Sequence, residues 1–331
     1  MPIVLDGSQG ITTPSYGGTD TSEYLVPVTA FKNRIINGAM MIDQRNAGAS
    51  VTGNNGVYLT DRWRAGASQN SKFTGQQSTT APSGYINSLL ITSSSAYTVL
   101  ASETFTLAQF IEGLNVADLG WGTASAQSVT LSFWVRSSLT GTFGGSLQNS
   151  ANTRSYPFSY TISAANTWEQ KTITVAGDTS GTWLTTNSIG IRVWLGLGVG
   201  ADGSGTAGSW ATADYRSCIG ATSVVGTSGA TFYITGVQLE KGSTATSFDY
   251  RPYGQELALC QRYFENNGTG WFTTSSNYGV QVYFRTTKRA TPTITTSSGS
   301  VSGSNYLGPN SFRMDTQGPI DVTSWSASSE L

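Results

Sequence analysis

Apolar and polar residues alternate along much of this chain with a period of two, the repeat that sends successive side chains to opposite faces of a strand. In SVTLSFWVR, Val129, Leu131, Phe133 and Val135 share one face, with Thr130, Ser132, Trp134 and Arg136 on the other. That pattern predicts an antiparallel strand with one face buried. Tyr156, Phe158, Tyr160 and Ile162 repeat it, and Pro157, which lacks a backbone donor, places that strand at an edge or a bulge. SIGIRVWLGLGV sets Ile189, Ile191, Val193, Leu195, Leu197 and Val199 against Gly190, Arg192, Trp194, Gly196 and Gly198. A glycine-lined face admits close approach of a ligand or, more simply, of a covering loop. In FYITGVQLE, Phe232 and Ile234 are out of phase with Val237 and Leu239, so a bulge is expected at Gly236.

One stretch has helical spacing instead. After Arg251-Pro252, GQELALCQRYFE sets Leu257, Cys260 and Phe264 three and four residues apart, with Leu259 and Tyr263 on an adjoining face and Asn266-Asn267-Gly268 as a stop. A helix of about three turns that is apolar on two faces needs cover on more than one side, from the strands before it and from the C-terminal unit or neighbouring subunits. FTLAQFIEGLNVADLGWG, at 105–122, is ambiguous and is compatible with a helical turn at the edge of the strands. Short strands separated by turn residues, without strand–helix alternation, predict an all-β chain with a β-sandwich of jelly-roll type. The expected organisation is an extended N-terminal arm at 1–57, the sandwich at 58–253, a short closing helix at 254–266 and a small C-terminal β unit at 267–331. The last of these is short for an independent core. In the arm, Asp43 and Arg45 read as local turn or ion-pair contacts.

Composition agrees with a folded β protein. Gly accounts for 39 of 331 residues and charged residues for only 11%, while 9 Trp, 15 Tyr and 13 Phe supply core material that disordered chains lack. A net charge of −1 gives no footprint for nucleic acid or an anionic membrane surface, and no run approaches the roughly 18 apolar residues of a membrane span. The N-terminus has no signal-peptide pattern. Cys218 and Cys260 are too few for a disulfide framework; a single bridge between them and two buried free thiols are both open, the free thiols being the simpler reading. With no histidine, Ser-His-Asp and Cys-His hydrolysis and His-ligated zinc are excluded. Paired carboxylates remain as a possible catalytic device, drawn from Glu112, Glu169, Asp202, Asp214 and Asp249.

Three stretches carry a resemblance: KNRIINGAMMIDQRNAGASV followed by YLTDRW, the strand VTLSFWVRS, and FYITGVQLEKGSTATSFDYRPYGQELALCQRYF. They resemble a recurring family of bacteriophage and prophage tail-fibre or tail-tip proteins with a carbohydrate-binding-module-like, galactose-binding-type jelly roll. The likeness covers about Phe31 to Phe264, and the opening LDGSQGITTPS is also similar to such proteins. The resemblance implies a non-enzymatic virion tail protein and a homotrimer, joined to a tail or baseplate protein through its arm and meeting host-surface glycan distally. It also implies that Asp61, Trp63, Gly236, Gln238, Glu240, Arg251 and Arg262 hold the sandwich and its helix, so no binding residue transfers from it. A structural Ca²⁺ enters through the resemblance alone, since no calcium-loop motif is present; no other cofactor is expected.

The C-terminal unit lies outside the likeness, and recognition is expected there. Trp271, Tyr278, Tyr283, Tyr306 and Trp325 are the candidate glycan-binding rings, set among Ser, Thr and Asn, although a unit this small needs half or more of its aromatics inside. Leu257, Cys260 and Phe264 are the candidate assembly residues. No heptad or collagen-like repeat is visible, which fits a short fibre or tip. The competing readings are a baseplate or capsid decoration protein without a receptor role, and a carboxylate-dependent polysaccharide depolymerase.

Overall fold

The alternating segments pair into two antiparallel sheets of six strands in a computed structural model, which describes residues 4–6, 10–12, 31–267, 272–274, 280–296, 300–301, 307–315, 320–322 and 324–331. Met1–Lys32 forms one unit, in which β1 (Val4–Asp6) and β2 (Gly10–Thr12) pair antiparallel. Asn33–Leu331 forms a second. Its first sheet runs β11 (Ser155–Ile162), β10 (Gly141–Gln148), β13 (Ile189–Val199), β8 (Thr104–Glu112), β5 (Trp63–Ala67) and β4 (Tyr58–Thr60). Its second runs β12 (Glu169–Val175), β9 (Val129–Ser137), β16 (Thr231–Lys241), β7 (Ser88–Ser93), β6 (Phe73–Ser78) and β3 (Val51–Thr52).

The inward sets are those the alternation marks. Val129, Leu131, Phe133 and Val135 of β9 face Ile191, Val193, Leu195 and Leu197 of β13 across a core completed by Trp63, Phe105, Phe143, Phe158 and Phe232. Each such side chain contributes about 1.5–3 kcal/mol on burial. Ile35 and Met40, from the stretch grouped by sequence with the arm, belong to this core as well. The strand with Pro157 lies at a sheet edge. The register between β9 and β16 slips between Thr235 and Gln238, with Gly236 at φ 61°, so the expected bulge is present where glycine accepts a left-handed backbone. The ambiguous stretch divides: 105–112 is an inner strand between β13 and β5, and the helical turns come after it, as single 3₁₀ turns at Gly113–Asn115 and Ala117–Leu119. Both cysteines are buried and free.

The helix α1 (Tyr253–Gln261) is shorter than its spacing suggests, because Phe264 opens a strand, β17 (Phe264–Asn266). The chain turns there to satisfy a buried acid: Arg262 grips Glu112 through Nε and Nη2 at 3.0 and 2.6 Å, and the Tyr263 hydroxyl donates to the same carboxylate at 2.8 Å. β17 then pairs with β24 (Trp325–Ser328), which also pairs with β20 (Thr293–Thr296). Phe312, Trp325 and Ala327, with Val282, Phe284, Ile294 and Leu307, make a small separate core.

Charges fill the seam between this C-terminal part and the sandwich. Arg62, 2% exposed, lies 3.6 Å over the Tyr263 ring and is paired with Glu330; Arg45 meets Glu330 at 2.7 Å and stacks 3.6 Å over Phe264. Lys288, fully enclosed, donates to Glu265 at 2.6 Å and to the Gln261 carbonyl. Arg289 bonds the Ser329 and Glu330 carbonyls and, at 2.6 Å, the carbonyl of Asn187 in the loop before β13. Removing one partner of such a pair leaves an uncompensated buried charge. Lys288→Ala is therefore expected to cost about 3 kcal/mol in denaturant unfolding, and Lys288→Met with Glu265→Gln to recover much of that loss.

Asp61 accepts from the Gln44 amide at 2.5 Å but is 1% exposed, and burial lifts its carboxyl from the ordinary 3.8 to about 7. Its folded-state value lies above its unfolded one, so folding takes up a proton between these limits. The contribution is fully present below about pH 4 and is lost as pH rises through 7. Stability should fall from pH 5 to 8, and Asp61→Asn should flatten that slope in melts across the range; an unchanged slope would contradict the assignment.

Candidate functional site

The five C-terminal rings do not come together as one described surface. Tyr283 is 74% exposed at the end of its strand, and Trp325 is buried at 8% exposure against Phe312 and Phe284. Trp325 is thus among the rings this small unit needs inside. Trp271, Tyr278 and Tyr306 lie outside the described residues. Of the assembly candidates, Cys260 is buried and Leu257 half-buried against Ile36, Ile42 and Tyr263, while Phe264 lies beneath Arg45.

The sandwich itself has one closed outer face and one that is open in part. On the first sheet, a short parallel pair, β14 (Ser204–Gly205) and β15 (Ser217–Cys218), presses onto the glycines: a Cβ built on Gly196 of β13 would stand 2.8 Å from Ser217 Oγ, and one on Gly144 of β10 2.4 Å. Ile189 and Leu331 cover Phe110 and Trp194 beside it. The glycine-lined face of β13 is therefore packing under a loop. On the second sheet, the loop after β16 covers the end that carries Thr130, Gln238 and Glu240; Thr130 donates to the Gly242 carbonyl, and Glu240 takes the Thr246 amide and hydroxyl at 2.9 and 2.6 Å.

The other end of that sheet is left to solvent. Register places Trp168, just before β12, level with Arg136 of β9, Tyr233 of β16, Leu90 of β7 and Gln76 of β6. All five side chains are half-buried. Trp168 meets Tyr233 edge-on at 6.0 Å, and the Arg136 guanidinium lies 5.1 Å from the Tyr233 ring centre. One step along the strands, Gln170, Trp134 and Thr235 form the next row. There the Tyr85 ring sits over Gly236, in ring contact with Phe248 at 5.4 Å and Tyr250 at 5.6 Å. Burial, with Tyr250 beside it, holds the Tyr85 phenol above its ordinary range. The result is an aromatic strip bordered by Gln76, Thr92, Gln170 and Thr172, which offer neutral donors and acceptors. Flat rings beside amide and hydroxyl groups suit a ligand with both apolar ring faces and hydroxyls.

This strip is not among the sequence candidates. Trp134 and Arg136 appear in the alternation only as the polar face of β9, and nothing in one strand reveals which neighbouring rings share that face. The signal available was an outward Trp in an otherwise regular strand.

Four of the five carboxylates considered for catalysis are held by cations instead. Glu112 pairs with Arg262, Glu169 with Lys171 at 2.6 Å, Asp214 with Arg216 at 3.2 Å and Asp249 with Arg251 at 3.8 Å. Asp202 sits in a 3₁₀ turn, Ala201–Gly203. Among the described residues no three His, Cys, Asp or Glu side chains are grouped as a metal site. The residues that the resemblance marks as structural do bear on packing: Trp63 donates to the Asn37 carbonyl at 3.0 Å, Gln238 donates to Glu240 at 2.9 Å, and Arg251 binds the carbonyls of Asn33 and Ile35.

No protein-family model and no curated protein matches the chain. Solved structures do match, at low identity. The enzymatically active domain of bacteriophage CBA120 tailspike protein 4 is 11% identical with a TM-score of 0.35, over 63% of this chain and 21% of that one. TmCBM61 in complex with β-1,4-galactotriose is 10% identical, TM-score 0.33, over 64% and 99%. The family 11 carbohydrate-binding module of Clostridium thermocellum, in complex with a β-1,3-1,4-mixed-linked tetrasaccharide, is 10% identical, TM-score 0.30, over 61% and 96%.

Proposed function

We propose that this chain is a glycan-binding protein of a bacteriophage tail, a fibre or tip subunit that contacts host-surface saccharide through the open end of its second sheet. The observation that supports the glycan reading is the row Trp168–Arg136–Tyr233 left uncovered on a sheet whose other end is capped by a loop. The tail reading rests on the sequence stretches that resemble tail-fibre proteins. In that reading the arm at 1–57 joins a tail or baseplate protein and three copies assemble around one axis, so that weak sites act together. Binding requires no catalytic step, and the cation-held carboxylates suit a non-enzymatic role.

Trp168→Ala and Tyr233→Ala are each expected to weaken binding of the full chain to host-surface polysaccharide by about tenfold, with melting temperature little changed. If Tyr283→Ala weakened binding and both of those variants did not, recognition would belong to the C-terminal unit. Light scattering of the purified chain is expected to give the mass of a trimer; a monomer at all concentrations would contradict the tail-fibre assembly.

A further inference from the structure

Arg136 differs from the cations of the seam in how it is held. Among the described residues no carboxylate lies within salt-bridge distance of it. Its Nε donates to the Asn166 carbonyl at 2.9 Å, and its plane lies near Tyr233, one position across the sheet from Trp168. Asn166 presents that carbonyl from a left-handed backbone, φ 55°, fixed by the hydrogen bond that its own backbone N–H donates to the Ser137 carbonyl at 2.6 Å. Asparagine tolerates that conformation better than most residues, and the turn spends it on orienting the arginine. The carboxylate next along the chain from Trp168, Glu169, is turned away: it accepts the Ser163 and Ala164 amides at 2.8 and 3.0 Å and pairs with Lys171.

A guanidinium anchored through Nε loses the side-on pair that Arg262 uses on Glu112 but keeps its two terminal nitrogens, which can meet a carboxylate or a phosphate end-on in a two-pronged bond. Here that fork lies beside the Tyr233 ring, on a strand flanked by those of Tyr233 and Trp168 and on a row whose remaining side chains, Leu90 and Gln76, are uncharged. Resting on the glycan reading above, we infer that the site selects anionic saccharides: a sugar ring packs on Tyr233 and Trp168 while its acidic group is taken by Arg136. Uronic acid carboxylates, phosphate esters and sulfate esters share this chemistry.

The test is a saccharide array probed with the full chain, carrying neutral oligosaccharides beside uronate, methyl-esterified uronate, phosphorylated and sulfated counterparts. The expected result is binding to anionic members over their neutral or esterified counterparts by about tenfold or more, the range of a charge-assisted hydrogen-bond pair. The class retained identifies the acidic group. Arg136→Gln should abolish the preference, Arg136→Lys should restore only part of it, and added salt should weaken binding by the wild type and not by Arg136→Gln. Equal binding of every anionic member and its neutral or esterified counterpart, binding of neutral members only, or no anionic member bound would each overturn the inference. Binding lost in Tyr233→Ala with the anionic preference intact in Arg136→Gln would leave the site standing and remove Arg136 as the source of the charge selection. Binding unmoved by Trp168→Ala and Tyr233→Ala would remove the site itself.

Discussion

Arg62 reaches across the join between the sandwich and the C-terminal strands, and both depend on the carboxylate it finds there. Glu330 is shared by Arg62 and Arg45, one stacked on Tyr263 and the other on Phe264. In a chain with only 11% charged residues, this concentration of ions in one seam is the main departure from a core of alternating apolar side chains. Buried ion pairs add little net stability over apolar replacements, but losing one partner is costly, so the seam works as a lock on register. Lys288 with Glu265, and Arg262 with Glu112, repeat the arrangement at the C-terminal end of the helix. The last strand is thereby fixed to β17, and the closing helix stops where Arg262 and Tyr263 turn to Glu112.

The lock also decides which surface is free. Leu331 and the loop carrying β15 close the outer face of the first sheet, so Phe110 and Trp194 are packing residues there. On the second sheet the loop after β16 covers only one end, and the rings at the other stay half-exposed. Aromatic side chains left at a sheet surface do less for the core than rings inside it, and a contiguous group of them marks a place where something else binds. The fold thus offers a rigid strip on paired strands, held in place without any part of the strip serving the seam.

The alternation of β9, β11, β13 and β16 was legible because a period of two needs no neighbour to be read. Pro157 and Gly236 declared an edge and a bulge by their backbone chemistry. What sequence did not reveal depends on partners distant along the chain: that 105–112 is an inner strand, that Ile35 and Met40 enter the core, and that Phe264 leaves the helix for a strand. The candidate site was missed for the same reason. Trp134, Trp168, Tyr233 and Tyr85 come from four separate segments, and only strand register sets them side by side, whereas the aromatics of the C-terminal unit are close in sequence and drew attention for that alone. Trp325 shows the cost of that reading, since its ring is needed by the small core around Phe312.

The central claim is a location, and hydrogen exchange of the full chain with and without a bound saccharide tests it most directly. The account predicts added protection at 129–137, 163–172 and 231–236, with 280–296 and 311–315 unchanged. Protection confined to those C-terminal strands, with the second sheet unaffected, would contradict it.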